Sequence, residues 1–375
     1  MSKREIVRRE RVSINFVLAW TKTHEQDVTV DNRGWQKGKR RKWDRLTVSR
    51  VKEIREKLNN DSSRFYIGPE AIMQEWKRLY PSSHPPPIRT ITRMLVDLGL
   101  SKKRRRDRHK GSSRYLCYPE HTIYYLLGSR VLEADFIGRK YITGRSKPLN
   151  FIGFSFKRKP RLRYYKRVEG ETADNLICQC KVFFANFEKP DFLKVDNCAA
   201  TIGSVSGKRN ISRTIAFLLE NRVVPVFSVP RKPFSQASIE GNNSVFSRRF
   251  WNKIKFKNLK EVDEKLELFN QASKIYTNYR MPKKRKKIKK SFVPKVYFIR
   301  QVKEDKERNG KAFIDVLNEK ITLPLSYINY FVLAEWNVKE EILHIHFEKE
   351  LKPKIIKKIP FKINQRSRKR CSQFI

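Results

Sequence analysis

What most limits how this chain can fold is its charge. Lysine and arginine number 85 against 38 acidic residues, leaving +47 over 375 residues. A field of that sign attracts polyanions, and an excess spread along the whole length points to nucleic acid rather than to an acidic membrane surface. Three basic clusters, Lys37 to Lys42, Lys102 to Lys110 and Lys283 to Lys290, lie between segments of clear apolar periodicity. They read as linkers or DNA-facing arms that divide the chain into four parts. The length also exceeds a single domain of roughly 100–200 residues, so several compact units are expected.

The rest of the composition narrows the class. An apolar fraction of 39 % with 12 % aromatic residues is the profile of folded domains, not of a disordered basic tail. No uninterrupted apolar stretch approaches 18 residues, and no charged start leads into an apolar segment. Membrane spans and secretion are therefore not expected, and the chain is placed in the cytoplasm, associated with the nucleoid. Cys117, Cys178, Cys180, Cys198 and Cys371 form no CxxC pair, and their odd number suits a reducing compartment without structural disulfides. His344 and His346 would share one face of a strand, but two nitrogens are half a metal site. No small-molecule substrate is expected.

Helical spacing dominates the first third. Ser13 is a plausible N-cap for a helix over Ile14 to Trp20, making residues 1–36 a small helix-turn-helix candidate. Helices are expected over Thr47 to Asn59, Gly68 to Tyr80 and Ile88 to Leu98, the last entered through Pro85-Pro86-Pro87. This suits a second helix-turn-helix over residues 45–101. Ile88, Ile91 and Leu95 pack inward, while Arg89, Thr90 and Arg93 are the candidate DNA contacts of its last helix. Beyond Ser129 the texture changes to strands at Arg130 to Ile137, Leu149 to Lys157, Leu162 to Arg167, Asp191 to Val195 and Val223 to Ser228. Helices at Thr172 to Asn186, Ser212 to Asn221 and Ser235 to Asn252 intervene or follow. The pattern predicts a mixed five-stranded sheet covered by helices over residues 125–255, in a multidomain α+β chain. Residues 256–290 form a connecting helix and basic linker. Short, regularly spaced strands over 291–365 suggest a small β-barrel. Its aromatics, Tyr297, Phe298, Tyr327, Tyr330, Phe331 and Trp336, read mainly as core.

Three acids sit where their neighbours do not explain them. Asp135 ends the apolar run Val131 to Ile137, Asp196 follows the strand Phe192 to Val195, and Glu240 lies in Ala237-Ser238-Ile239-Glu240-Gly241 on the last core helix. A carboxylate in or at the end of a core strand loses hydration and needs a partner, most simply a cation. If the first and fourth strands are neighbours, three oxygen donors meet at one sheet edge, a donor set for Mg²⁺ or Mn²⁺. Two ions about 3.5–4 Å apart then serve phosphodiester exchange. Each acid has an ordinary alternative: Asp196-Asn197 as a strand-ending turn, Asp135 paired with Arg139, Glu240 complementing a helix dipole. Glu133, two residues before Asp135, is the rival for the first position.

The order Leu132-Glu133-Ala134-Asp135-Phe136-Ile137-Gly138, Leu193-Lys194-Val195-Asp196-Asn197 and Pro230 to Asn243 resembles the integrase-type DDE transposases of bacterial insertion sequences, relatives of retroviral integrase. The resemblance implies a ribonuclease H-like core with helix-turn-helix units before it and a small β-barrel after it. It puts the catalytic, metal-holding carboxylates on Asp135, Asp196 and Glu240, with two Mg²⁺ or Mn²⁺ ions. It also implies DNA partners, namely the element's terminal repeats and target DNA, and a homo-oligomer on DNA. The implied activity is metal-dependent strand cleavage and strand transfer. The interval between Asp196 and Glu240 is wider than usual for the family, a surplus that fits a loop insertion over Ser204 to Arg213. Cys198 stands where the family generally has glycine.

On the helix of Glu240, Asn243, Ser244, Ser247 and Arg248 fall at spacings that share its face. Asn243, Arg248 and Arg249 are the candidate DNA contacts there. The loop from Pro230 to Ser235 over the site is expected to be mobile until DNA binds. Two other readings stay open: a non-catalytic DNA-binding regulator derived from a transposase, and a ribonuclease H-like nuclease without joining activity.

Overall fold

The computed structural model describes residues 2–21, 43–61, 64–102, 130–156, 161–203, 207–281, 292–305, 310–349 and 352–369. The chain divides into two compact units, Met1–Glu53 and Ile54–Ile375.

In the first unit, α1 (Lys3–Glu10) opens with a capping box in which Ser2 and Glu5 satisfy each other's backbone N–H. Helix α2 (Ile14–Trp20) starts at the expected cap, with Ser13 Oγ accepting from Phe16 N at 3.1 Å. Residues 22–36 of the expected first helix-turn-helix, like most of the three basic clusters, lie outside the described residues. The boundary between the units falls within α3 (Arg45–Asn60), where Val51, Ile54 and Leu58 are buried at the expected spacing.

The second unit continues with α4 (Pro69–Leu79) and α5 (Ile88–Asp97). Both match the helical periods, Pro69 at the first position of α4 and Pro87 at the N-cap of α5 setting the entries. Helix α5 buries Ile91, Met94 and Leu95, whereas Ile88, expected inside, is exposed because it heads the helix. The stretch joining α3 to α4 is built into the body that follows. Phe65 is buried against Phe250 and Phe269, Tyr66 stacks on Tyr276 with ring centres 4.2 Å apart, and Lys253 Nζ donates to the carbonyls of Asp61 and Arg64. Gln74 Nε2 adds a hydrogen bond to Ile275 O at 3.1 Å.

The core opens with β1 (Val131–Lys140), β2 (Leu149–Phe156) and β3 (Leu162–Val168), then α6 (Ala173–Asn186) and β4 (Phe192–Val195). There follow α7 (Ala199–Ile202), α8 (Arg213–Glu220) and β5 (Val224–Phe227). β1 to β3 pair antiparallel, while β4 and β5 run parallel to β1, giving the order β3-β2-β1-β4-β5 expected of a mixed five-stranded sheet. Leu132, Ala134, Ile152, Phe154 and Leu193 cluster on one face with Leu176 and Phe183 of α6 and Ile215 and Leu219 of α8. On the opposite face Ile137, Phe151 and Tyr165 meet α9 (Ala237–Phe246), the π-helical turn Ser247–Trp251 and α10 (Leu259–Tyr276) through Phe246, Phe250 and Phe269. The single long helix expected over Ser235 to Asn252 is thus three pieces, a 3₁₀ turn at Pro233–Gln236, α9 and the π turn. Phe246 and Phe250, four residues apart, both face the aromatic core.

The expected separate barrel is not what the last segment builds. β6 (Lys295–Gln301), β10 (Phe331–Asn337), β11 (Ile342–Lys349) and β12 (Lys352–Pro360) extend the core sheet to nine strands, in the order β12-β11-β10-β6-β5-β4-β1-β2-β3. β7 (Lys303–Asp305), β8 (Lys311–Val316) and β9 (Glu319–Leu323) form a small sheet of their own. Short strands at regular spacing suit a barrel, but β5 would otherwise leave an open edge, and β6 covers it by parallel pairing at Val226 with Tyr297 and Phe227 with Phe298. The new outer strand carries Lys352, Lys354, Lys357 and Lys358 with Pro353 and Pro360, residues that blunt an edge. Tyr297, Phe298, Phe331 and Trp336 are core, as their surroundings implied. The insertion before α8 docks on this added segment. Arg209 N donates to Leu317 O at 3.0 Å, and Ile211 N donates to Ser367 Oγ at 3.1 Å.

Candidate active site between β1 and β4

The parallel register of β1 and β4 sets Val131 beside Phe192, Leu132 beside Leu193 and Glu133 beside Lys194. Two positions further along, the same register brings Asp135 level with Asp196, the residue that follows the last position of β4. Residues two apart on a strand share a face, so Glu133, Asp135, Lys194 and Asp196 all belong to the face that α9 crosses.

Glu133, the rival for the first position, has partners of its own. Its Oε1 lies 3.8 Å from Lys194 Nζ, both side chains are 2 % exposed, and its Oε2 accepts from Ile239 N at 2.9 Å. Lys194 Nζ also donates to Ser235 O. The pair therefore fastens the start of α9 to the sheet, a structural use for the acid that rivalled Asp135. It also ties down the end of the loop from Pro230 to Ser235.

Asp135 accepts from Asn243 Nδ2 at 2.8 Å, on the second turn of α9. Arg139, its alternative partner, is exposed within the irregularity between Ile137 and Lys140 in the β1–β2 pairing. The close approach of α9 depends on Gly153, the register partner of Asp135 on β2. A Cβ there would meet Tyr165 Cε1 at 3.0 Å and Asn243 Oδ1 at 3.1 Å. Tyr165 cannot withdraw, since its hydroxyl donates to Asn242 O at 2.8 Å and its backbone is bonded on both sides to Asn270 of α10.

Asp196 heads a turn that needs no glycine. Cys198 has φ −79°, caps α7, and its N–H donates to Asp196 Oδ1 at 3.3 Å. Thr201 Oγ1 donates to Asp196 O at 2.7 Å. Asn197 Nδ2 donates to Ser228 O at 2.7 Å, and Asn197 Oδ1 accepts from Arg300 Nη2 at 2.9 Å.

Burial, and then the negative charges of Asp196 and Glu240, push the Asp135 carboxyl up to about 7. Burial and Glu133 move Glu240 in the same direction. The three acids thus act on one another through Asp135, and the partners of Glu133 leave Lys194 committed elsewhere. A pair of partly buried carboxylates that repel each other is a suitable donor set for a hard divalent ion. Glu240, in the first turn of α9, is exposed, and among the described residues no three His, Cys, Asp or Glu side chains are grouped closely enough to hold an ion. The chemistry of Asp135 and Asp196 fits a metal, while Glu240 stands near them without closing the set.

The remaining candidates are scattered. Asn243 is engaged with Asp135 through its Nδ2. Arg248 is exposed and its Nε donates to Ser244 O at 3.3 Å. The π turn carries Arg249 toward Arg55 and Lys253, whose affinities for their protons are lowered by burial and then by the charge of Arg249. Arg89 and Arg93 are exposed on α5, with Thr90 partly so. His344 and His346 lie on one face of β11 as expected, His346 Nε2 being 3.5 Å from Glu335 Oε2. That carboxylate is occupied by Lys295 Nζ at 2.6 Å and Tyr297 Oη at 3.0 Å. Sequence reasoning missed Lys194 and Arg300, because the partners that tie them to the site, Glu133 and Ser235 for the one and Asn197 and Ser228 for the other, are distant in the chain.

No family model matches the chain, and no curated protein matches it in sequence. Among solved structures it is similar to the catalytic core domain of BIV integrase, at 15 % identity and TM-score 0.29, over 43 % of this chain and 88 % of that one. It is also similar to a chain of the simian T-cell lymphotropic virus intasome in complex with PP2A regulatory subunit B56 gamma, at 10 % identity and TM-score 0.33, over 79 % of this chain and 93 % of that one. No helix among the described residues is long and apolar enough to cross a membrane.

Proposed function

We propose that this chain is a DNA transposase of the DDE type, cutting and joining DNA strands by metal-dependent phosphoryl transfer. The observation that carries the reading is the placement of Asp135 level with Asp196 across the neighbouring parallel strands β1 and β4, with the Asp135 carboxyl pushed up to about 7 by burial and then by Asp196 and Glu240, inside a chain of net charge +47. In this reading Asp135 and Asp196 hold the ions and Glu240 completes the set. Asn243 fixes the rotamer of Asp135, and Glu133 with Lys194 fixes α9. Divalent ions, when bound, would supply Lewis-acid activation of the attacking oxygen and stabilise the leaving oxygen. The exposed arginines of α5 would contact the element's terminal repeats, and multimers would form on paired ends and target DNA.

The test uses purified protein and a labelled duplex carrying the DNA that flanks the reading frame. Asp196→Asn should abolish nicking in Mg²⁺ and leave binding intact, and nicking at the wild-type rate would refute the assignment. One observation favours a second reading, a DNA-binding regulator without cleavage: Glu240 is exposed and the three acids do not close into one group. A wild-type protein that binds the duplex but never nicks it in Mg²⁺ or Mn²⁺ would establish that alternative.

A further inference from the structure

Among the described residues, the buried guanidinium of Arg300 has carbonyl and amide oxygens as its hydrogen-bond partners. It lies on β6, in the segment that the sequence presented as a separate module, and is 6 % exposed. Nε donates to Asp315 O of β8 at 2.7 Å, and Nη1 donates to Ile299 O at 2.9 Å and to Ser228 O at 3.1 Å. Nη2 donates to Asn197 Oδ1 at 2.9 Å. Burial lowers its affinity for the proton to about 10, so it stays charged at neutral pH. One planar group thus ties the small sheet, the sheet extension and the ends of β4 and β5 together. Ser228 closes the ring, because its carbonyl also accepts from Asn197 Nδ2 and its N–H donates to Val195 O at 3.0 Å.

We infer that Arg300 is a positioning residue for Asp196, acting through Asn197, so that the C-terminal strands are part of the catalytic core and not only a DNA-holding appendage. This rests on the reading of Asp196 proposed above. Both polar ends of the Asn197 amide are used, one by Ser228 and one by Arg300, which leaves the backbone next to Asp196 little freedom. Only a guanidinium can make these bonds at once. An ammonium at the same place has the charge but not the fork, and cannot span Asp315, Ser228 and Asn197 together.

The experiment compares Arg300→Lys, Asn197→Ala and the double variant in the full-length protein. Three measurements are made: nicking of a plasmid bearing the flanking DNA as a function of Mg²⁺ concentration, affinity for the same DNA without metal, and the rise in melting temperature that Mn²⁺ gives the DNA-free protein. Each single variant should lower nicking by about 10–100-fold, move half-saturation to higher Mg²⁺ and shrink the Mn²⁺-induced rise, with DNA affinity unchanged. The double variant should lose no more than the worse single one, since both break the same linkage. Unchanged metal dependence in the singles, or losses that multiply in the double, would overturn the inference. If Arg300→Lys does not fold, Asn197→Ala decides alone, because it leaves the Arg300 bonds to Asp315, Ile299 and Ser228 in place. Asp196→Asn is run alongside. If that variant nicks normally, the catalytic reading has failed. If it is inactive while Asn197→Ala and Arg300→Lys behave as wild type, only the positioning role has.

Discussion

Glu133 and Lys194 are register partners on two adjacent parallel strands, and their side chains form an ion pair shut away from water. The pair makes contacts that neither residue alone could keep. Glu133 accepts from the N–H of Ile239 in the first turn of α9, and Lys194 donates to the carbonyl of Ser235 just before that helix. The polar pair thereby sets where the helix bearing Glu240 begins.

Lys194→Met is therefore expected to destabilise the fold by roughly 3–5 kcal/mol, because it strands a buried carboxylate. Glu133→Gln/Lys194→Met, which removes both charges, should cost less than Lys194→Met alone. Urea unfolding of the three proteins at neutral pH checks the order.

The second prediction concerns pH. The Asp135 carboxyl stands at about 7 in the fold, above its ordinary range near 3.8. The folded state then holds a proton that the unfolded chain has released, so this group's contribution to stability falls as pH rises from about 4 through 7. Metal-free Asp135→Asn should melt higher than wild type at pH 8 and nearly level with it at pH 4, the gain at pH 8 being at most roughly 4 kcal/mol. Metal-dependent nicking should fall as pH drops below about 7, where Asp135 becomes neutral. A melting series across that range, with and without Mn²⁺, measures both effects.

Gly153 supplies the third. A methyl group there presses on Tyr165 and Asn243, and Tyr165 is fixed at both its hydroxyl and its backbone. Gly153→Ala is expected to cost about 1–3 kcal/mol and to loosen the bond from Asn243 to Asp135. The predicted signature is a lower melting temperature together with weaker Mn²⁺ stabilisation, and an unchanged melting curve would show that α9 can shift without cost.

A fourth prediction addresses the basic helix. Arg89 and Arg93 are exposed on α5 while Ile91, Met94 and Leu95 anchor it. Arg89→Ala and Arg93→Ala should leave stability within about 0.5 kcal/mol of wild type. Each should weaken DNA binding, and if the contact is to phosphate, the slope of log affinity against log salt should drop by about 1. Binding titrations at several salt concentrations separate a phosphate contact from a base contact, which would instead relax sequence preference.

Helix and strand positions were legible in the sequence almost residue by residue, because alternation and helical spacing report which side chains must leave water. Ser13 as a cap, the five core strands and the place of Asp196 just after the fourth of them follow from local pattern, whereas Asp135, expected near a strand end, lies in the middle of β1 because the strand runs on to Lys140. The break of the long helix into a 3₁₀ turn, α9 and a π turn did not, since helical spacing alone does not mark where one helical form passes into another. The fate of the last strands was likewise hidden, because a short alternating strand looks the same whether it closes a barrel or covers the edge left by β5.

By itself, then, the sequence determined the charge, the order of the elements and which acids lack a local partner, all properties of neighbouring residues. Only the tertiary structure decided that Glu133 belongs to Lys194 while Asp135 faces Asp196, and that Arg300 stands behind them. Those outcomes depend on strand register and on hydrogen bonds between residues up to about a hundred positions apart in the chain. A shift of one residue would have turned every one of those side chains to the other face.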